Sequence, residues 1–508
     1  MIVKSREKAK IKSFVYLSLL SGLSLLFLLP AGMYGTETVP FKTASLFHLA
    51  LHVICVVLSI HTTLKVVLKE ENLGVWWLRP VFLLFFLVLT TLLVGYAVAP
   101  VTARDALIHH LAVPKWWAEA GRVHEIRWHD WSYYPMLIHL IYTFFLQEGT
   151  EWLCSIYSLS YLYLISALLC LIVSKGAKSR FLLPFAYLLP LTIPIMIRLS
   201  TEPMPDIPLA YFTGVAFYLL TVEPEDKNSL LRLSFWSGVA LGISLSIKYN
   251  AIPAAGLLVL ASISLNPRLS PAAAIKRVII LCTISFLIFS PWLIKNYSLT
   301  GNPLYPLFGK IFGTVDYSGG IYRGYFPIEK RIAAYGESWL EILALPVRMI
   351  LYGRDNDPRY FDGVLSPLFL VLFISLIRLK SERKVFFGFL YSAAYTAIAI
   401  IRAGARIRYL SPIYLPVLFL TIEGFQRALE VVKERMGKAL VLSSLLLQLA
   451  LGGVYSFNRI VEKNIWGYIL GRISKKEFLE RNIPIYRKIE EINSILPKGS
   501  RLLLLYTG

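Results

Sequence analysis

Asp105 stands in a polar stretch between long apolar runs, in the order Ala103-Arg104-Asp105-Ala106-Leu107-Ile108-His109-His110. A carboxylate there can take a proton from a hydroxyl within hydrogen-bond reach, which is the work of a general base. Fixed cations do the complementary work, because they stabilise negative charge developing on a departing oxygen such as that of a phosphate. Five candidates stand at the ends of apolar runs: Lys248, Lys295, Arg402, Arg406 and Arg408. The three arginines share one short segment followed by Tyr409, and the guanidinium fork suits phosphate. Glu202 and Asp206 are one helical turn apart, so one face is expected to carry both, to position substrate hydroxyls or to brace Arg198. Asp130, with His129, precedes the turn Tyr133-Tyr134-Pro135 and is a second candidate region, on the side of an acceptor. The plainer readings are Asp105 as a helix cap, the arginines as lipid-headgroup contacts, and an ion pair with Arg198. The adjacent His109 and His110 read as surface residues more readily than as metal ligands, and no metal site is expected.

The elements that must position these groups are helices in a membrane. Hydrophobic residues make up 56% of the 508, only 16% are charged, and the mean hydropathy is +0.61. A soluble chain carries about 25% charged residues. Apolar runs such as Phe14–Leu29, Val81–Val98, Trp152–Val173 and Val278–Phe289 have the length of a bilayer-crossing helix. Runs without alternating polarity exclude a β-barrel. The net charge of +21 lies between the apolar runs, where topology and anionic headgroups account for it, and no nucleic-acid partner is expected. Cys55, Cys154, Cys170 and Cys282 lie in apolar segments without CxxC spacing and read as core residues. The basic start, Lys4 to Lys12, resembles a signal peptide without a clear cleavage site, so a retained first helix is expected.

About thirteen crossings are expected: 13–32, 45–67, 80–99, 135–173 (entering at 135–147 and crossing at 151–173), 182–199, 205–222, 233–248, 250–265, 278–295, 363–378, 385–401, 409–427 and 439–456. With a cytoplasmic N-terminus, the basic segments 65–79, 174–181, 223–232, 266–277, 378–384 and 427–438 fall inside. The long segments 101–134 and 296–362 then fall outside, as does the C-terminal 457–508. Arg104–Ala120 is expected as an amphipathic interfacial helix anchored by Trp116 and Trp117. The tail reads as a helical stretch, Lys475–Ile495, then a Pro-Lys-Gly-Ser turn and a strand-like Arg501–Tyr506.

Several stretches carry a family resemblance. Asp-Ala-Leu-x-x-His-Leu at 105–111, Trp-Trp-x-x-x-Gly-Arg at 116–122 and Tyr133-Tyr134-Pro135-Met136 resemble the first outer loop of GT-C-fold glycosyltransferases. The relatives meant are the protein O-mannosyltransferases and the lipid A aminoarabinose transferases (glycosyltransferase family 39-like). Thr201 to Asp206, Gly238-x-x-x-Gly242 with Ile247 to Asn250, and Ser290 to Asn296 with Thr300 to Pro306 agree in order and spacing. The resemblance covers roughly residues 80–430. It implies an all-α polytopic membrane protein, a GT-C-like bundle, with residues 80–456 as the catalytic core. Residues 1–79 would be an added pair of helices and 457–508 a small extracytoplasmic segment. It further implies transfer of a sugar from a polyprenyl-phosphate carrier to an extracytoplasmic acceptor (protein, lipid or glycan), inverting, at a cell membrane. Asp105 would be the base, followed by Ala106 where the family often has a second acid. Substrate would be bound by His109, His110, Asp130, Tyr134, Glu202, Asp206, Lys248, Tyr249, Lys295, Asn296, Asn302, Tyr305, Arg402, Arg406, Arg408 and Tyr409. No cofactor is implied, and metal dependence stays open. The rival readings are a transporter or flippase for lipid-linked saccharides, and a ligase moving a whole glycan. The aromatics of 305–326 are expected as a lid over the site or as a rest on the membrane.

Overall fold

The computed structural model describes residues 2–69, 78–176, 182–264, 270–314, 327–376, 383–432 and 434–497, and among these there is no strand. The Pro-Lys-Gly-Ser turn beyond Pro497, the expected strand at 501–506, and Tyr317, Tyr322, Tyr325 and Phe326 lie outside them.

Among the described residues, eight helices are long and apolar enough to cross a membrane: Ser13–Tyr34, Val39–Val67, Arg79–Val98, Trp152–Ser174, Lys227–Ile247, Pro271–Thr300, Arg383–Arg402 and Ala439–Glu462. Three shorter apolar helices, Leu137–Gln147, Asp206–Thr221 and Ala251–Ile263, stand among them. Local chemistry explains where they begin and end. Asp226 starts one as a capping box with Ser229, and Ser270 caps another with Pro271 at its first turn. That second helix ends at Gly301, whose φ of 75° is the left-handed conformation a helix stop requires.

Three of the thirteen expected crossings are corrected, and proline is involved in each. Segment 182–199 is split into Leu182–Leu188, a 3₁₀ turn Pro190–Thr192 and Pro194–Ser200, with Ile193 extended ahead of Pro194. The described part of segment 363–378 holds a 3₁₀ turn Pro367–Val371 followed by Leu372–Ser375. Segment 409–427 begins as a 3₁₀ helix Ile407–Ile413 holding Pro412, then continues as Tyr414–Val431. Arg427 within that helix is paired with Glu423 and Glu430, so this stretch is partly ionic.

For the elements that carry the argument, we name α1 (Val39–Val67), α2 (Leu78–Val98), α3 (Ala112–Glu119), α4 (Trp152–Gly176), α5 (Asp206–Thr221), α6 (Lys227–Ile247), α7 (Pro271–Thr300), α8 (Arg383–Ala403) and α9 (Glu434–Glu462). α6 and α7 cross closely through the small-residue pair read from the sequence. A methyl added at Gly238 or Gly242 would meet Ile284 or Ile288 at 2.9 and 2.6 Å, so only glycine admits this approach. The spans expected at 233–248 and 250–265 are two helices with a break between them. α6 ends at Ile247, Lys248 is extended, and the next helix starts at Ala251. The N-terminal pair of helices is joined to the bundle by buried polar contacts. On α1, His48 meets Tyr157 Oη of α4 at 2.9 Å and His52 meets Ser160 at 2.7 Å. Cys55, Cys154 and Cys170 are buried as expected, whereas Cys282 is exposed on α7, and all four are free thiols.

The helix expected over Arg104–Ala120 is a π-helical turn, Ala106–His110, followed by α3. Trp117 is not the expected membrane anchor. Its ring is buried and its Nε1 donates to the His124 carbonyl at 3.0 Å, which fastens the loop to itself.

Candidate functional site

Asp105 occupies the residue before the π-turn but makes no capping hydrogen bond. Its carboxylate instead accepts from Arg408, 303 positions away in sequence. Arg408 also approaches Asp362 at 4.0 Å. Arg198 holds the other side of Asp362, donating to its carbonyl at 2.8 Å and its carboxylate at 3.1 Å, and reaches Asp355 at 3.0 Å. Asp355 in turn receives Tyr455 Oη at 2.5 Å and Arg459 at 3.5 Å. Arg459 donates to Tyr96 Oη at 3.1 Å, and Tyr96 donates to Glu202 at 3.2 Å. Lys463 closes this end on Tyr96 Oη and Thr102 Oγ1, both at 2.6 Å, and on Glu202 at 3.4 Å. One chain of alternating charges therefore runs from the Asp105 loop to the end of α9.

The backbone that presents Asp362 is shaped for it. Arg354 N donates to the Tyr360 carbonyl and Gly363 N to the Arg354 carbonyl, closing a tight loop, and Ile407 N bonds to the Phe361 carbonyl. Phe361 and Asp362 sit at φ 70° and 43°, a left-handed conformation that strains a side chain such as Phe. The buried Phe361 ring lies beneath the Arg331 guanidinium at 4.8 Å, and Arg331 is bidentate to Glu337. Packing thus holds the strained turn.

Glu202 and Asp206 are not on one helix face, contrary to expectation. The chain turns between Pro203 and Pro205, so that α5 starts only at Asp206. Glu202 faces Lys463, and Asp206 faces Lys248 at 2.9 Å. Arg198 is braced by Asp355 and Asp362. Lys248 also lies 5.9 Å from the centre of the Tyr409 ring, whose other neighbour is Arg408 at 5.2 Å. Asp105, Asp206, Lys248, Arg408 and Tyr409 are thereby brought together.

The remaining sequence candidates divide. Arg402 is exposed and Arg406 half-buried, on the stretch leading to Arg408. Lys295 is buried away from the arginines, donating to the Ser132 carbonyl at 3.0 Å and lying 5.0 Å from the Trp292 ring. Asn296 donates to Tyr249 Oη at 3.1 Å and to the Tyr305 carbonyl at 3.3 Å, while Asn302 donates to the Leu307 carbonyl at 2.7 Å. These contacts knit the end of α7 to its following turn. Tyr305 is buried, while Phe308 and Phe312 are exposed. His109 packs on Trp131 at 4.7 Å and on His129 at 5.6 Å, and His110 Nδ1 meets His139 Nε2 at 2.8 Å. Tyr134 sits between Trp131 and Tyr249, 4.9 Å from each, in the turn that begins at Asp130. Among the described residues no three His, Cys, Asp or Glu side chains are arranged to hold a metal ion.

Electrostatics follow from this packing. Burial alone would raise the Asp105 carboxyl, but Arg408, helped by Lys248, outweighs burial and holds it below the ordinary aspartate value. Burial pushes the His109 imidazole down to about 4 despite the pull of Asp105, and His110 lies well below its ordinary value for the same first reason. At neutral pH the histidines are uncharged and Asp105 is ionised. Arg408 keeps spare capacity, because its Nε has no hydrogen-bond partner.

Sequence reasoning missed Tyr96, His139, Asp355, Asp362, Arg459 and Lys463. A signal existed for two of them: Arg459 and Lys463 close an apolar run on the same end of the bundle as Arg402–Arg408. The rule that selected the arginine trio would have selected them too.

Fold and site together define a multi-pass helical membrane protein with a partly buried ionic centre at one end of its bundle. The chain belongs to the family described as a domain of unknown function (DUF8201), which it matches over residues 39–415. No curated protein matches it. Among solved structures it is similar to the crystal structure of ArnT from Cupriavidus metallidurans bound to undecaprenyl phosphate. The identity is 14%, over 79% of this chain and 73% of that one, with a TM-score of 0.49.

Proposed function

We propose that the protein is an integral membrane glycosyltransferase that moves a sugar from a polyprenyl-phosphate carrier to an acceptor hydroxyl outside the cytoplasm. The observation that carries this reading is the meeting of one carboxylate, Asp105, with Arg408 and Lys248 beside Tyr409. A donor phosphate would be held by the two cations, each now occupied by a carboxylate that an anionic ligand can displace. Once Arg408 turns to phosphate, Asp105 loses the contact that depresses its basicity and can accept a proton.

In the transfer, the acceptor oxygen attacks the anomeric carbon from the face opposite the phosphate. The bond from that carbon to the phosphate oxygen breaks, its electron pair leaves on the phosphate, and the acceptor proton passes to Asp105. A single displacement of this kind inverts the anomeric centre. Glu202 and Asp206 would keep Lys463 and Lys248 in place rather than bind sugar directly.

We place the ionic end of the bundle outside the cytoplasm and the basic segments 223–232 and 266–277 inside, with the N-terminus cytoplasmic and the tail outside. A transporter would need charged residues near the bilayer midplane between inverted repeats. The ionic chain instead draws on helix ends and loops at one end of the bundle, which favours the transferase. The decisive assay uses the full chain in proteoliposomes with a polyprenyl-phosphate-linked hexose and follows released polyprenyl phosphate. Release that requires the protein and is lost in Asp105→Asn supports the reading; equal release by wild type and Asp105→Asn overturns the role of Asp105.

A further inference from the structure

The transfer described above releases Arg408 from Asp105, so another contact must keep that carboxylate in register. Among the described residues, two side-chain hydrogen bonds tie residues 99–105 to other elements. One is the Arg408 contact to Asp105. The other joins Lys463 Nζ to Thr102 Oγ1 at 2.6 Å, across 361 positions of sequence. Thr102 stands between the end of α2 and the π-turn that Asp105 leads, and Val101 and Ala106 on either side are buried. A tie at Thr102 therefore acts on a short stretch whose apolar ends are already packed.

Lys463 has no capacity to spare. An ammonium carries three N–H donors, and Lys463 meets three acceptors: Thr102, Tyr96 Oη at 2.6 Å and Glu202 at 3.4 Å. Its own place is set by the tail. Asn482 donates to the Lys463 carbonyl at 3.1 Å, and Asn464 takes a φ of 55° at the start of helix Ile465–Ile469. Trp466 of that helix lies against α2 at Gly95, where an added methyl would meet its ring at 3.4 Å. Phe478 of helix Lys475–Asn482 is fully buried, in one cluster with Tyr96, Ile460 and Ile465. The tail, beyond the residues 39–415 matched by the family, is thus packed on the end of α2 and aims the ammonium at Thr102.

Resting on the glycosyltransferase reading for the role of Asp105, we infer that Lys463 is a positioning residue. It holds the Asp105 loop through Thr102 while Arg408 turns to the donor phosphate. Misplacing a reacting group by about 1 Å costs on the order of 100-fold in rate, so a tether matters without touching substrate. A lysine that served only to neutralise Glu202 would not need Thr102.

Thr102→Val separates the tether from the ion pair, because it removes one hydroxyl and leaves Lys463 on Tyr96 and Glu202. In the proteoliposome assay it should lower kcat about tenfold with the donor KM unchanged. Lys463→Met should lower kcat at least as far, and Lys463→Arg should recover most of that loss. The double variant Thr102→Val/Lys463→Met should be no slower than Lys463→Met alone, as expected of two groups acting through one contact. An unchanged kcat in Thr102→Val, losses that multiply in the double variant, or a rise in donor KM in place of the fall in kcat overturns the tether. Amide hydrogen exchange of the full chain in nanodiscs reads the same contact without turnover. Residues 99–107 should exchange about tenfold faster in Thr102→Val, with 116–124 unchanged. Equal exchange over 99–107 in wild type and Thr102→Val overturns the tether whatever the assay gives. Faster exchange in a protein whose wild type transfers nothing sinks the glycosyltransferase reading alone.

Discussion

Arg408 and Lys295 start from the same signal, a cation at the end of an apolar run, and finish in opposite surroundings. Arg408 meets the carboxylates of Asp105 and Asp362, supplied by two distant parts of the chain, and the ring of its neighbour Tyr409. Lys295 meets one backbone carbonyl and an indole. A carboxylate partner leaves a cation exchangeable, because an incoming phosphate is an equivalent anion. A buried carbonyl partner makes it a strut, because breaking that bond strands both groups. For these two cations the partner separates the proposed binding role from an architectural one.

The most direct way to break the comparison is at its centre. Asp105→Asn should lower transfer about 100-fold or more with normal membrane levels, the usual scale for losing a general base. Full activity in the proteoliposome assay would remove Asp105 from the chemistry. Arg408→Gln should cost about 100-fold through loss of the phosphate contact. Arg408→Lys should recover only part, since ammonium lacks the fork that spans Asp105 and Asp362. If Lys restores everything, Arg408 acts as a point charge and its fork has no role.

A smaller effect is expected along the chain of charges. Asp355→Asn should destabilise the protein by about 1–3 kcal/mol, because Arg198, Tyr455 and Arg459 all converge on that carboxylate. It should act mainly on thermal inactivation in detergent; an unchanged midpoint would show that the chain of charges adds nothing to the fold. Lys295→Met should raise the acceptor KM about fivefold, worth one hydrogen bond, and leave the donor KM in place. A donor effect as large as that of Arg408 would erase the distinction between the two cations.

The smallest effect concerns pH. His109 is held at about 4 against an ordinary 6.5, so between those values the unfolded chain binds a proton that the folded chain refuses. Stability should therefore fall as pH drops from 6.5 towards 4, and His109→Phe should flatten that slope. The pairing of Asp105 works lower down: its folded value is depressed, so its contribution is present above the unfolded value and lost only as pH falls through the folded one. A slope unchanged in His109→Phe would assign the effect elsewhere.

How far the site was legible follows the range of the interactions. The small-residue crossing of α6 on α7, the break at Lys248 and the helix stop at Gly301 are local, and their residues announce them. The placing of Glu202 and Asp206 on one face failed because Pro203 and Pro205 delay the helix until Asp206. The unbroken spans at 182–199 and 409–427 failed because hydropathy averages over prolines that backbone geometry cannot ignore. Asp355 and Asp362 were invisible as site residues, since nothing near them in sequence says which arginines they will meet.

The amino-acid sequence by itself determined the solvent: long apolar runs leave no option but helices in a bilayer, with the charged residues driven to their ends. It also named two groups that meet, the Asp105 carboxylate in one loop and Arg408 in another. Only the tertiary structure decided the pairing. Asp105 reaches Arg408 across 303 positions because helix packing brings their loops to the same end of the bundle. Once there, the strained turn at Phe361 and Asp362 holds the third charge in reach. Hydrophobic patterning chooses the membrane, whereas ion pairing depends on distances that exist only after the helices have packed.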